Sequence, residues 1–392
     1  MLSSSRLVVS KNILVSLSTI LIIALASNNL SSQELVIIST FILFFNLQNT
    51  LFEGLFGLHL LSASTQAASI AIVKQFKYMM IASSTSGILF FTYTSSFEFY
   101  SFDDLMFISI LSSFVFILGI ISNSVTNVYC NQNEKSIFFA LDIIMLIFSL
   151  VFIYCKSALL VNYLLPFGLR SLGTSFLYFH SFKKTKKRSI YFEEEKLVSG
   201  RFFTSTALSV SRDSLMPLLC GVLLGPNILV FMRIFNTIVS APGLLANSMN
   251  KVIVRYISQD KINSKLIFNK YKLWLSVMSI SYLSLWFFGG HELINMFFSD
   301  KFDVNINYLL LSLCLFCFFW PFGQVLIVKS LNNGDSFLYL KMSLIWTVAT
   351  LVNLLILCVT SFEVYMISFG TMQFINLFIY VKYYAYDKKN QE

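Results

Sequence analysis

The sequence predicts an all-α integral membrane protein of about twelve transmembrane helices in two six-helix lobes, with both termini cytoplasmic. Three observations carry this reading: composition, the spacing of apolar segments and the placement of basic residues. Hydrophobic residues make up 56% of the 392 and charged residues 12%, with a mean hydropathy of +0.74. A soluble domain carries about 25% charged residues. So few charges cannot cover a water-facing surface, and the solvent must be mostly lipid.

The apolar segments recur from end to end. Helical spans are expected near 12–29, 35–60, 77–95, 105–128, 136–155, 157–180, 199–224, 227–249, 271–290, 306–328, 339–360 and 363–381. Each has roughly the length that a ~30 Å hydrocarbon layer requires. The first follows Arg6 and Lys11 and ends in "ALAS", with Ala24 and Ala26 placed as at a signal-peptidase site. It is read as an uncleaved first helix, because a chain of many spans needs no separate signal.

The third observation fixes orientation. Nearly all of the 28 Lys and Arg fall in alternate loops, including Arg6, Lys11, Lys74, Lys77, Lys135, Lys251, Lys261, Lys329, Lys382 and the run Lys183–Arg201. The intervening loops hold only Lys156 and Lys301, among acids such as Glu34, Glu98, Asp103, Asp104 and Glu292. By the positive-inside rule the basic side is cytoplasmic. The longest polar stretch, Ser181–Leu197, is a basic/acidic cytoplasmic linker that divides an N-terminal lobe (1–180) from a C-terminal lobe (198–392).

Several functions are excluded or disfavoured. The basic residues are spread over short loops, not gathered in a patch, so no nucleic acid is expected. Cys314 and Cys317 form a lone C-x-x-C, and His59, His180 and His291 are not near it in sequence, so no metal is expected. No cofactor is expected. Neither G-x-x-x-x-G-K-[ST] nor G-x-S-x-G occurs, which argues against a built-in ATP motor and against an enzyme.

The chemistry lies in polar residues inside the spans. Arg201, Ser205, Ser209 and Arg212 share one face of the seventh span. Arg212 sits near its middle, where an Arg costs roughly 2.5–3.5 kcal/mol to insert. Asp213 is ~100° around the helix from Arg212, so the two are expected to face different neighbours. Pro217 removes the N–H that would reach the carbonyl of Asp213. Such a kink beside charges requires protein or a water-filled cavity around it.

The eighth span carries Arg233, Asn236, Thr237 and Ser240 on one face, followed by Pro242 and Gly243, which are expected to bend it. Arg233 is ~10 Å by helical rise from the outer end, within reach of the interface. The second span aligns Asn46, Asn49, Thr50, Glu53 and Gly57, with Gln48 alongside. Arg170 lies on the sixth span after Pro166, and Asp142 in the inner part of the fifth. Three arginines inside spans, against few acids, predict a cationic cavity. Its natural guest is an anion, and the guanidinium fork suits phosphate oxygens.

The stretch "SRDSLMPLLCGVLLGPNILVFMRIFNTIVSAPGLL" followed by "ANSMNKVIVRYIS" resembles the seventh-to-eighth helix region of the O-antigen and polysaccharide lipid flippases. These belong to the multidrug/oligosaccharidyl-lipid/polysaccharide exporter superfamily. The resemblance rests on the G-P-N turn, the F-M-R-I-F helix start and the basic exit, and the twelve-helix plan agrees over nearly the whole chain. It implies alternating-access transfer of a polyprenyl-diphosphate-linked oligosaccharide, an O-antigen or capsule repeat unit, across a bacterial inner membrane. Arg212, Arg170 and Arg233 would contact the anion, and Asn46, Asn49, Ser205, Ser209, Asn236 and Thr237 would line the cavity. Glu53 and Asp213 would be candidates for ion coupling. Partners would be the lipid-linked glycan, membrane lipids, and a glycan polymerase and glycosyltransferases of the same pathway. The alternatives are a multidrug exporter of the same superfamily, which would want an acidic cavity, and a membrane glycan polymerase, which would want a large outer loop. A major facilitator transporter is disfavoured because "SASTQAASIAIVKQFK" lacks its G-x-x-x-D-R-x-G-R-R loop.

Overall fold

The structure is a computed structural model. It describes all residues except 1, 53–71, 73–74, 130–135, 156–158, 186–199, 260–263, 299–301, 303, 334 and 390–392. The described chain is helical nearly throughout, and eight of its helices are long and apolar enough to cross a membrane. It is an all-α, multi-pass membrane protein. The large apolar side chains left on its outside, such as Phe288, Val359 and Leu223, are what a lipid solvent requires.

The chain packs as two compact units, Met1–Val230 and Phe231–Glu392. The first contains α1 (Leu2–Asn29), α2 (Ser32–Phe52), α3 (Phe76–Ser95), α4 (Phe102–Tyr129), α5 (Ser136–Cys155), α6 (Leu160–Leu169) and α7 (Leu172–Thr185). It continues through α8 (Gly200–Val210), a π-helical segment (Ser211–Leu215) and α9 (Met216–Leu224). Thus the helix that follows the polar linker clusters with the first unit: α8 and the π segment both pack on α2. α10 (Pro226–Gln259) begins at the unit boundary. The second unit continues with α11 (Ser264–Phe297), α12 (Ile306–Asn333), α13 (Ser336–Val359), α14 (Phe362–Met372) and α15 (Phe374–Lys389).

α2 is the central element of the first unit, buried along nearly its whole length. Its Phe41 ring stacks on Phe116 of α4 at 5.2 Å and meets Phe167 of α6 edge-on at 5.3 Å. A separate cluster of Met79, Ile121, Val125, Phe139 and Leu177 joins α3, α4, α5 and α7. In the second unit Phe235 of α10 packs on Phe362, Tyr365 and Phe369 of α14. Hydroxyls buried in these helices mostly donate to the carbonyl one turn back, as Ser27 does to Ile23, Ser112 to Ile108 and Thr126 to Ser122. This spares them the cost of an unmade hydrogen bond in an apolar surround.

At the N-terminal end of α2, Ser31 and Glu34 form a reciprocal cap: Glu34 accepts from the Ser31 N–H at 2.9 Å, and the Glu34 N–H reaches Ser31 Oγ at 3.3 Å. Tyr100, in the loop between α3 and α4, hydrogen-bonds the same carboxylate. Burial, then the charge of Glu34, push its hydroxyl up to about 12, so it remains a donor throughout the ordinary pH range. Between α9 and α10 the chain turns at Gly225 with φ +99°, a conformation that a side chain resists, and Pro226 opens the next helix.

Two predicted spans part into two helices, and the seventh holds a wider turn. α10 continues as a helix through Pro242. The sixth predicted span is two helices, parting at Arg170 and Ser171, four residues beyond Pro166. The last predicted span likewise parts at Gln373. In the seventh span the Met216 N–H donates to Ser211, five residues back, and Pro217 has no N–H to offer. One residue is therefore accommodated in a wider turn, a form often found at functional positions.

Candidate functional site

The π segment presents the charges. Arg212 and Asp213 form a bidentate ion pair, Nε to Oδ1 at 2.5 Å and Nη2 to Oδ2 at 2.9 Å. This corrects the expectation that they face different neighbours. Adjacent Cβ atoms diverge by ~100° on a helix, but the Arg stem is long enough to fold its fork back onto the next carboxylate. The side chains are 23% and 61% exposed. Neither charged group is sealed inside the protein.

The other predicted members of this wall separate by burial. Ser205 is fully buried and Ser209 half-buried; the Arg201 side chain lies outside the described residues. In this structure Ser205 is packed inside the helix bundle. On α2, Asn46 and Thr50 are exposed in an otherwise buried helix. Glu53 would come next on their face, but it lies outside the described residues. Asn49 turns inward instead. Its amide donates to the Phe45 carbonyl at 2.8 Å, and it lies against Gly119 of α4. It too is packed in this structure. Beside it Gln48 is buried with neither amide atom hydrogen-bonded. Tyr93 of α3 donates to the Leu218 carbonyl at 2.8 Å, just past Pro217, and so holds the kinked helix from the side.

A second constellation lies deeper in the first unit and was not foreseen. The Lys11 ammonium contacts Asp142 Oδ2 at 2.5 Å and Ser122 Oγ at 3.1 Å. The other oxygen of Asp142 accepts the backbone N–H groups of Gly173 at 2.7 Å and Thr174 at 3.2 Å. It thereby caps the N-terminus of α7 from a neighbouring helix. Thr174 Oγ1 donates to Ser122 Oγ at 2.9 Å. Lys11 is thus a helix residue in a buried pair, not a loop residue as the charge count placed it. The sequence held a signal for this: Lys11 and Asp142 each interrupt an apolar run, with opposite charge.

Arg170 stands at the break between α6 and α7, only 7% exposed. Its guanidinium lies over the rings of Phe167 at 4.6 Å and Phe45 at 5.2 Å, and its Nη1 reaches Thr19 Oγ1 at 3.4 Å. No carboxylate pairs with it among the described residues.

In the second unit, Arg233 and Thr237 lie one turn apart on α10. Arg233 Nε and Thr237 Oγ1 are buried without a hydrogen-bond partner. Asn236 is half-buried, and its carbonyl accepts the Ser240 hydroxyl. Further along, the Asn250 amide donates to Gln324 Oε1 at 2.8 Å and its oxygen accepts the Tyr271 hydroxyl, tying α10 to α11 and α12. Cys314 is exposed and Cys317 buried. No group of three metal-ligating side chains occurs among the described residues.

No family model matches the chain, and no curated protein matches it. Solved structures do. The outward-facing form of a multidrug resistance MATE family transporter of the MOP superfamily superposes with a TM-score of 0.67 at 13% identity, covering 100% of this chain and 98% of that one. An inward-facing form gives 0.64 at 12%, covering 98% of both. A MATE structure in complex with MaD3S gives 0.66 at 12%, covering 100% and 98%. From one end to the other, the chain has the fold of the MATE transporters of the MOP superfamily.

Proposed function

We propose that this protein is a flippase of the MOP superfamily, a carrier and not an enzyme. It moves a polyprenyl-diphosphate-linked oligosaccharide across a bacterial cytoplasmic membrane by alternating access, with twelve crossings and both termini in the cytoplasm. The observation that carries the reading is the charge balance within the spans. Each deep acid among the described residues already holds a base: Asp142 holds Lys11, and Asp213 holds Arg212. Arg170 and Arg233 have no acid among those residues. The surplus is positive, and the fitting guest is an anion such as a diphosphate.

In this reading Arg212, Arg170 and Arg233 contact the diphosphate, while Asn46, Asn49, Ser205, Ser209, Asn236 and Thr237 offer hydrogen bonds to sugar hydroxyls. Asp213 and Glu53 are the coupling acids. Asp213 competes with the substrate for the Arg212 fork, so loading must displace it. A glycan polymerase and glycosyltransferases would act on either side of this step. Two of the structural neighbours are multidrug resistance transporters, and export of cationic drugs is the second reading. It would need an acid left open in the cavity, and the two described acids are occupied.

The test is reconstitution in liposomes with a fluorescent polyprenyl-diphosphate oligosaccharide, scoring the fraction that crosses. Transfer by the protein, reduced at least tenfold in Arg212→Ala and partly kept in Arg212→Lys, is the expected result. Absence of transfer, with drug efflux from the same vesicles, would overturn it.

A further inference from the structure

The buried charged residues of the described chain are three: Lys11, Asp142 and Arg170. That is one acid between two bases, all in the first unit. Asp142 lies within electrostatic reach of Arg170 as well as of Lys11. Among the described residues it nevertheless pairs only with Lys11, at 2.5 Å. Its remaining oxygen is taken by the N–H groups of Gly173 and Thr174. Arg170 is left with two aromatic faces and one long contact to a hydroxyl. A buried cation without a counter-ion is costly, and the cost falls when an anion arrives.

We infer that Lys11 is a charge-setting residue for the anion site: by sequestering Asp142 it keeps Arg170 uncompensated and available to a phosphate oxyanion. This deepens the proposed function and rests on its assignment of Arg170 to the substrate anion. Asp142 adds a positioning role. Its carboxylate starts α7 at Leu172 and so fixes the helix break on which Arg170 stands. Lys11 and Asp142 never touch the anion; they act through Arg170.

The two roles predict effects of opposite sign. With Lys11→Met, Asp142 loses its base and turns its charge on Arg170. With Asp142→Asn, the acid disappears while an amide oxygen still caps Gly173 and Thr174. Purified full-length protein in detergent is titrated with inorganic pyrophosphate and, in a second arm, with a short-chain prenyl diphosphate, following binding calorimetrically. Lys11→Met is expected to weaken binding tenfold or more, toward the value for Arg170→Ala. Asp142→Asn should bind at least as tightly as the unsubstituted protein, and Lys11→Met/Asp142→Asn should recover to within about threefold of it. Binding in the prenyl arm alone identifies a lipid headgroup as the source of the anion; binding in both identifies the phosphate itself.

If both single variants weaken binding alike, or the double variant stays as weak as Lys11→Met, the pair is only structural and the inference falls. A Lys11→Met chain that does not fold leaves Asp142→Asn to decide, since weakened binding there overturns the idea. Loss of binding in Arg212→Ala and Arg233→Ala but not in Lys11→Met would sink this inference and leave the proposed function standing. No diphosphate binding by the unsubstituted protein would sink both.

Discussion

At the scale of single residues, the two ion pairs have the same chemistry and different consequences, because burial differs. Lys11 and Asp142 are almost completely enclosed, so removing one strands a charge in a low dielectric, which costs about 3–5 kcal/mol. Asp142→Ala should therefore lower the thermal midpoint of the detergent-purified protein sharply, and the lost cap of α7 should add about 1 kcal/mol. Asp213 is mostly exposed, and an exposed pair contributes about 0–1 kcal/mol. Asp213→Asn should leave the midpoint nearly unmoved while changing the rate of transport. A large fall in its midpoint would show that the pair is structural. The sequence made Arg212 conspicuous through its depth, yet misjudged its partner. Helical angle places Cβ atoms, whereas a long side chain in poor solvent takes the nearest carboxylate. Lys11 was misplaced for a related reason. Seen in one dimension, a base near the start of a span looks like a loop residue until Asp142, on a helix far along the chain, is brought beside it.

At the scale of helices, the spans were legible because burial in lipid writes itself as continuous apolar runs, and the described part of each predicted segment is largely helical. The internal breaks were not legible. Pro166 and Pro217 are visible signals, but the break at Arg170 is held by a carboxylate from α5, a tertiary fact with no local signature. The π turn is set by Pro217 together with the grip of Tyr93 on Leu218. Close packing provides the test. A Cβ on Gly173 would stand 2.2 Å from the Phe138 carbonyl and 3.1 Å from Asp142 Oδ1. Gly173→Ala must push α5 and α7 apart, at about 1–3 kcal/mol, and should disturb the Asp142 cap with it. Gly289→Ala is the control, since its Cβ would meet only Leu293 at 3.9 Å. That substitution should be neutral or stabilising by up to about 1 kcal/mol. Equal midpoints for the two variants would mean that α5 and α7 are not in this contact.

At the scale of the whole molecule, composition was enough to name the solvent, and the alternation of basic loops was enough to propose an orientation. The polar linker marks where the chain leaves the apolar layer for longest. By contact, α8, the π segment and α9, which follow it, cluster with the first unit through α2. A stretch such as Ser181–Leu197 records solvent, whereas unit membership records contact, and one sequence pattern does not report both. Orientation can be tested without reference to packing. Moving Lys11 from loop to helix interior takes one charge from the basic side and leaves the bias intact, since Lys156 and Lys301 remain the only basic residues opposite. Reporter fusions made after Lys186 and Ile262 should then read cytoplasm. Fusions after Phe99 and Phe302 should read the outer side. Reversal of all four would keep the helix count and invert the orientation, placing the basic loops outside against the rule that predicts them. A mixed pattern would instead mean that at least one segment between the reporters does not cross, and the twelve-span topology would have to be redrawn at that segment.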